Sequence, residues 1–368
     1  MRMLFWFCLL FIAYTYAGYP LLLWLISRYR SRPSQQNRIT PTVSIIMAVR
    51  NEETALPAKL DNLRSLDYPK DRLQIIVVSD GSSDNTVSIL REHNESLELI
   101  MLENACGKAT ALNEASRRAT GEILVFTDVR QMIDVNAIAE LTACFSDPEV
   151  GGVSGELVLQ GDSDTPSSGL GTYWNIEKMV RRLESASGSV IGATGALYAV
   201  RRRLYEEIPS ATILDDVVIP MNLVRRGNRV IFQASAIARD RLFTDKGKEF
   251  SRKVRTMTGN YQILWLAPWL LSPANPVLWR YVSHKFLRLL CPWILILLPI
   301  ASGMSAGPIY QVAFAAQIAF YGVAIFGTLF PFARRIKLVA LPSAFVMLNV
   351  ASALALYNFV TGRNVVWR

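Results

Sequence analysis

The chain has 368 residues, 51% of them hydrophobic, with 39 Lys and Arg against 30 Asp and Glu for a formal charge of +9. A mean hydropathy of +0.24 is too apolar for an ordinary soluble enzyme. The apolar excess sits at the two ends, which describes a soluble domain fastened into a membrane. Four scattered cysteines without a C-x-x-C pair argue against a zinc site or a disulfide framework, and two histidines, His93 and His284, leave little for a His-dependent nucleophile. Proton transfer therefore falls to carboxylates. No basic stretch in the soluble part is interleaved with aromatics, so no nucleic-acid surface is expected.

Met3 to Ile26 is an apolar run without a charge, long enough to cross a bilayer. A cleaved leader competes with this, since Tyr16-Ala17-Gly18 is similar to a cleavage site. Only Arg2 precedes the run, whereas Arg28, Arg30, Arg32 and Arg38 follow it. That asymmetry favours an uncleaved span and a cytosolic domain, in a multi-pass protein of the plasma (inner) membrane. Residues 1–27 are thus predicted as a transmembrane helix and 28–40 as a basic linker.

From Pro41 the pattern alternates strand and helix. Val43–Val49, Leu73–Val78, Leu97–Leu102 and Ile123–Thr127 read as strands; Glu52–Leu66, the stretch to Leu90, Gly107–Ala119 and Asp134–Phe145 read as helices. Such alternation builds an α/β, mostly parallel sheet with helices on its faces. Beyond Gly151 the rhythm loosens: strands at Val153–Leu159, Ala196–Val200 and Val230–Gln233, a polar loop at 161–169, and a helix at Asp216–Arg226. The domain is drawn at 41–260. Pro268, Pro273 and Pro276 break the Trp-rich segment that follows, so 261–285 is predicted as interfacial helices. Residues 286–368 carry three further spans, near Leu289–Ala306, Ile309–Phe332 and Leu338–Val360.

Polar groups gather at the strand ends. Ile123-Leu124-Val125-Phe126 is an apolar run of a strand buried on both faces, and it stops on Asp128. In open α/β sheets the ligand crevice lies outside such ends. Asp80 ends the second strand before a Gly-Ser turn, and Arg50-Asn51-Glu52-Glu53 follows the first. Asp215-Asp216 opens a later helix; adjacent acids there satisfy the helix dipole, or one acts as a general base. Lys108, Arg252 and Arg255 are candidate partners for a diphosphate.

The blocks Val43–Glu53, Val78-Ser79-Asp80-Gly81-Ser82-Ser83-Asp84-Asn85-Thr86, Gly107-Lys108-Ala109, Phe126-Thr127-Asp128, Gly192–Arg202 and Asp215-Asp216, in that order and spacing, resemble the membrane-bound branch of family 2 glycosyltransferases. The resemblance covers about 42–262 and implies a GT-A nucleotide-diphospho-sugar transferase fold. By that resemblance Asp80 binds base and ribose with Ala48, Arg50 and Glu52 nearby. Lys108, Asp128, Arg130 and Arg255 meet the donor diphosphate. Asp216 is the catalytic base, and Thr194, Gly195 and Asp215 stand on the acceptor side. Asp128 corresponds to the first acid of an Asp-x-Asp motif, the expected ligand of Mg²⁺ or Mn²⁺. Arg130 stands where the second acid would be. The cation then rests on Asp128 and phosphates alone, or Arg130 neutralises the diphosphate itself. Arg252 and Thr256 stand where processive relatives carry Gln and Trp, which favours single-sugar transfer.

The expectation is a membrane-anchored inverting glycosyltransferase that moves a sugar from a nucleotide-sugar, a UDP-sugar first of all, to a lipid-linked or glycan acceptor. The alternatives are the catalytic subunit of a polysaccharide synthesis system with export partner subunits, and a non-catalytic nucleotide-sugar-binding membrane subunit.

Overall fold

The computed structural model describes residues 1–93, 95–160, 169–241 and 246–362. Eight strands form one sheet: β1 (Val43–Val49), β2 (Leu73–Asp80), β3 (Glu98–Leu102), β4 (Ile123–Thr127), β5 (Met132–Ile133), β6 (Val150–Gln160), β7 (Leu197–Arg201) and β8 (Arg229–Arg241). Their order is β3-β2-β1-β4-β7-β6-β8-β5. The β1–β2, β1–β4, β2–β3 and β6–β8 pairs are parallel; β7 runs antiparallel between β4 and β6, and β5 antiparallel to β8.

Every residue of β1 and β4 is buried, because each strand is covered on both faces. Their alternating side chains divide between two cores. Ile46, Ala48, Leu124 and Phe126 pack on one face with Tyr198 and the helix at Asp215–Arg225. Ile45, Met47, Ile123 and Val125 pack on the other with Leu56, Leu60 and Leu63. Each such burial contributes about 1.5–3 kcal/mol, which explains why both strands read as continuous apolar runs.

The differences from expectation are local. The first helix starts at Leu56, not Glu52, because Asn51 takes a left-handed conformation (φ 53) at the strand end and the chain turns before Pro57. β8 continues well past Gln233, since β5 and the second half of β6 supply it with partners. Of the predicted loop at 161–169, residues 161–168 lie outside the described residues.

Among the described residues, four helices are long and apolar enough to cross a membrane: Arg2–Tyr29, Leu278–Gly303, Pro308–Leu329 and Lys337–Val360. Two helices cross expected boundaries. Lys246–Leu266 runs through residue 260, and Leu278–Gly303 runs through residue 285. The reason for the second is pairing: His284 and Arg288 meet Glu177 and Glu184 inside the protein. Between these helices Leu270, 1% exposed, joins the sheet's core, so the Pro-rich segment packs on the domain as well as presenting Trp265 and Trp279 outward.

Candidate active site

Three chain segments meet at the end of β4. Thr127 pairs with Leu197 in the antiparallel register, which brings Asp128 beside the Thr194-Gly195-Ala196 turn before β7. The helix beginning at Asp215 aims its first turn at the same place. The Gly195 N–H donates to Asp216 Oδ2 at 3.0 Å, and the Ala193 N–H donates to the Asp216 carbonyl at 2.7 Å. A Cβ on Gly195 would lie 3.3 Å from Asp216 Oδ2 and 3.8 Å from Asp128 Oδ2. The two carboxylates thus converge over a bare backbone.

Lys108, on the helix Lys108–Arg118, ties the arrangement together: its Nζ is 2.9 Å from Asp128 Oδ1 and 3.1 Å from Asp215 Oδ1. The Tyr198 hydroxyl donates to the other Asp215 oxygen at 2.8 Å. Asp215 is 4% exposed with both oxygens engaged, so it anchors Lys108 where an acceptor contact was expected. Asp215 lines the cavity with both oxygens already engaged, whereas Asp216 Oδ2 is held by the Gly195 N–H beside it.

The charges respond accordingly. Burial raises the Asp216 carboxyl, Asp215 adds to that, and the pKa reaches about 6 despite Lys108, Lys285 and Arg181. Burial also disfavours the Asp128 carboxylate, but Lys108, Arg130 and Arg255 outweigh it and its pKa is lowered. Two acids over one glycine are therefore set apart, one held ionised and one tuned toward proton transfer.

A cavity of about 320 Å³ opens here, lined by eight Lys or Arg side chains against five carboxylates. It contains Lys108, Asp128, Arg130, Thr194, Gly195, Asp215, Asp216 and Arg255. Ala48, Arg50, Glu52 and Asp80 lie off it. Ala48 is 6% exposed in the core. Glu52 is raised by burial and senses Arg130 and Asp128, so the β1 rim adjoins the site. Arg50 is half-buried at the same rim. Asp80 is fully buried, and its oxygens accept the Cys106 and Gly107 N–H groups at 2.7 and 2.9 Å. In this structure it shapes the turn that launches Lys108 and does not face the crevice.

Several contributors were not anticipated. Lys59, 0% exposed, donates to Thr127 Oγ1 at 3.0 Å and to the Gln131 carbonyl at 2.5 Å, bracing the turn that carries Asp128 and Arg130. Its place at i+3 of the Leu56-Leu60-Leu63 stripe is a readable signal. Arg181, Lys285 and Arg288 also line the cavity. Ionisable residues within an apolar span are themselves such a signal.

Among the described residues no group of three or more His, Cys, Asp or Glu is arranged to hold a metal. Asp128 already shares one oxygen with Lys108. The donor set fits a hard cation as a single carboxylate completed by substrate phosphates, a mode Mg²⁺ accepts.

A sheet with this strand order and carboxylates at its strand ends is consistent with the GT-A fold. Residues 44–209, a little under half of the chain, match the family described as Glycosyl transferase family 2. A poly-beta-1,6-N-acetyl-D-glucosamine synthase of Staphylococcus aureus (strain COL) is 25% identical over 234 residues, 60% of this chain and 55% of that protein. The Staphylococcus epidermidis protein of the same name is 26% identical over 233 residues, with the same shares. The chain thus spans about half the length of the curated relatives it matches. Among solved structures, the mannosyltransferase PcManGT from Pyrobaculum calidifontis, in complex with GDP-Man and Mn²⁺, has a TM-score of 0.73 at 23% identity, covering 98% of this chain and 100% of that one. That likeness concerns the fold, membrane-length helices included.

Proposed function

We infer that the protein is an inverting glycosyltransferase of the plasma (inner) membrane, with its catalytic domain in the cytosol and its four long apolar helices crossing the bilayer. The observation that carries this reading is the convergence of Asp128 and Asp216 over Gly195 in a basic cavity. The donor diphosphate lies against Lys108, Arg130 and Arg255. Asp216 takes the proton of an acceptor hydroxyl as its oxygen attacks the anomeric carbon. The carbon–diphosphate bond breaks on the opposite side, so one displacement inverts the centre and releases a nucleoside diphosphate. Mg²⁺ or Mn²⁺ held by Asp128 would neutralise charge on that leaving group. A pKa of about 6 suits Asp216 to act as base near neutral pH. A pure binder has no need of such a group.

The relatives named as poly-beta-1,6-N-acetyl-D-glucosamine synthases support UDP-N-acetylglucosamine as the first donor to try, and the GDP-Man complex supports GDP-mannose as the second. The same relatives support a second reading, polysaccharide synthesis together with export subunits. Nucleotide release by the full chain in lipid, over a panel of nucleotide-sugars with Mg²⁺ or Mn²⁺, tests the proposal. Turnover that vanishes in Asp216→Asn while donor binding persists supports it. Donor binding without turnover in the presence of native membrane lipid favours a non-catalytic subunit.

A further inference from the structure

The cavity's basic groups fall into two sets. Asp128 senses Lys108, Arg130 and Arg255; Asp216 senses Lys285 and Arg181 besides Lys108, with Arg255 felt by both acids. The first set suffices for a donor diphosphate. Arg181 and Lys285 both line the cavity, and neither has a carboxylate within 4 Å among the described residues. They stand on the side from which the acceptor must approach the base.

On that side the cavity meets the membrane helices. A second, largely apolar cavity of about 150 Å³ lies among Tyr16 of the first span, Ile176, and Leu341, Ala344 and Phe345 of the last. Met257, Arg288 and Leu348 line both cavities, so the apolar groove adjoins the catalytic one. An amphiphile seated across this wall keeps its tail among apolar side chains while its headgroup enters the charged cavity. An unpaired cation beside a low-dielectric groove favours an anion there.

We propose that the groove between the first and last spans seats the tail of a phosphate-bearing membrane lipid, whose phosphate lies at Arg181 and Lys285 and whose headgroup hydroxyl reaches Asp216 as the sugar acceptor. This rests on the transferase reading and selects the lipid over the free glycan. The bond formed joins the anomeric carbon to the headgroup oxygen; the hydroxyl proton goes to Asp216 and the nucleoside diphosphate leaves.

The test uses the full chain in vesicles of the membrane in which it was expressed, supplied with radiolabelled nucleotide-sugars, and donor binding is measured separately on the same preparations. Sugar label is expected in the chloroform–methanol fraction. It should fall at least tenfold in Lys285→Glu and in the groove-filling Ala344→Phe, with donor binding unchanged. Phosphatidylglycerol carrying a photoactivatable tail should label the Leu341–Leu348 segment at least fivefold more than the matching phosphatidylcholine, and Lys285→Glu should erase the difference. Label in a water-soluble polymer, or equal photolabelling by both lipids, overturns the proposal and leaves the transferase reading standing. Failure of the wild type to bind any donor removes both, and is visible in the binding arm alone.

Discussion

Gly195 donates its N–H to Asp216 Oδ2 at 3.0 Å, and the space where its side chain would be is the space between the two site acids. Ala at 195 puts a methyl 3.3 Å from Asp216 Oδ2, tight enough that the carboxylate must give way by a few tenths of an ångström. The expected result for Gly195→Ala is a loss of turnover of about 10²-fold, since small misplacements of a reacting group cost that much. The melting temperature should stay within a few degrees of wild type. Steady-state kinetics beside thermal unfolding checks both.

Asp216→Asn should lower turnover by roughly 10²–10⁴-fold with donor affinity kept. Wild-type turnover should rise with pH through about 6, where Asp216 loses its proton. The stability effect has the opposite sense. Burial and Asp215 raise the folded pKa above the ordinary carboxylate value, so folding is penalised once Asp216 ionises. That penalty is absent below the unfolded value and complete above about 6. Asp216→Asn should therefore raise the melting temperature at pH 8 and not at pH 3.5.

Asp80 is predicted to act through Lys108. Asp80→Ala strips two part-buried N–H groups of their charged acceptor, which should cost about 1–3 kcal/mol of stability and raise the KM for donor. A variant with weaker donor binding and unchanged unfolding would instead indicate direct contact with the nucleotide. Chemical denaturation paired with donor titration separates the two.

Arg130 occupies the place of a second acid. Chelation of divalent ions should abolish turnover, and Arg130→Asp should tighten the Mn²⁺ requirement at least fivefold while weakening donor affinity. Metal titration of turnover reads both changes. Turnover that persists in chelator would show that the basic groups alone neutralise the leaving diphosphate.

Lys59 links the two halves of the site: it donates to Thr127 Oγ1, which donates to the Ala196 carbonyl at 2.9 Å, next to Gly195. Lys59→Met should lower kcat more than it raises KM. Burial depresses the Lys59 pKa to about 7, so the unfolded chain binds the extra proton between pH 7 and the ordinary lysine range. Wild-type stability relative to Lys59→Met should accordingly rise with pH across that interval. Denaturation at pH 6 and pH 9 checks the sign.

Much of the scaffold was legible because burial leaves its period in the chain. β1 and β4, covered on both faces, read as unbroken apolar runs, and the four long helices read as lengths of hydrocarbon. Carboxylates at strand ends were equally visible, since strand ends are where an α/β sheet presents side chains to a crevice. What stayed hidden were choices between neighbours. Asp215 and Asp216 are one residue apart, yet one is engaged by Lys108 and Tyr198 and the other accepts the Gly195 N–H.

By itself, then, the sequence determined the alternation of strands and helices, the membrane-length segments, and the order of the acids along the chain; these depend on local period and composition. Only the tertiary structure decided that Asp80 is spent on backbone N–H groups, and that His284 and Arg288 continue a helix by meeting Glu177 and Glu184. It also decided that Lys285, on the long apolar helix Leu278–Gly303, lines the same cavity as Asp216. Each of these turns on which charge finds which partner across distant segments, and a Coulomb or hydrogen-bond partner a hundred residues away leaves no spacing to read.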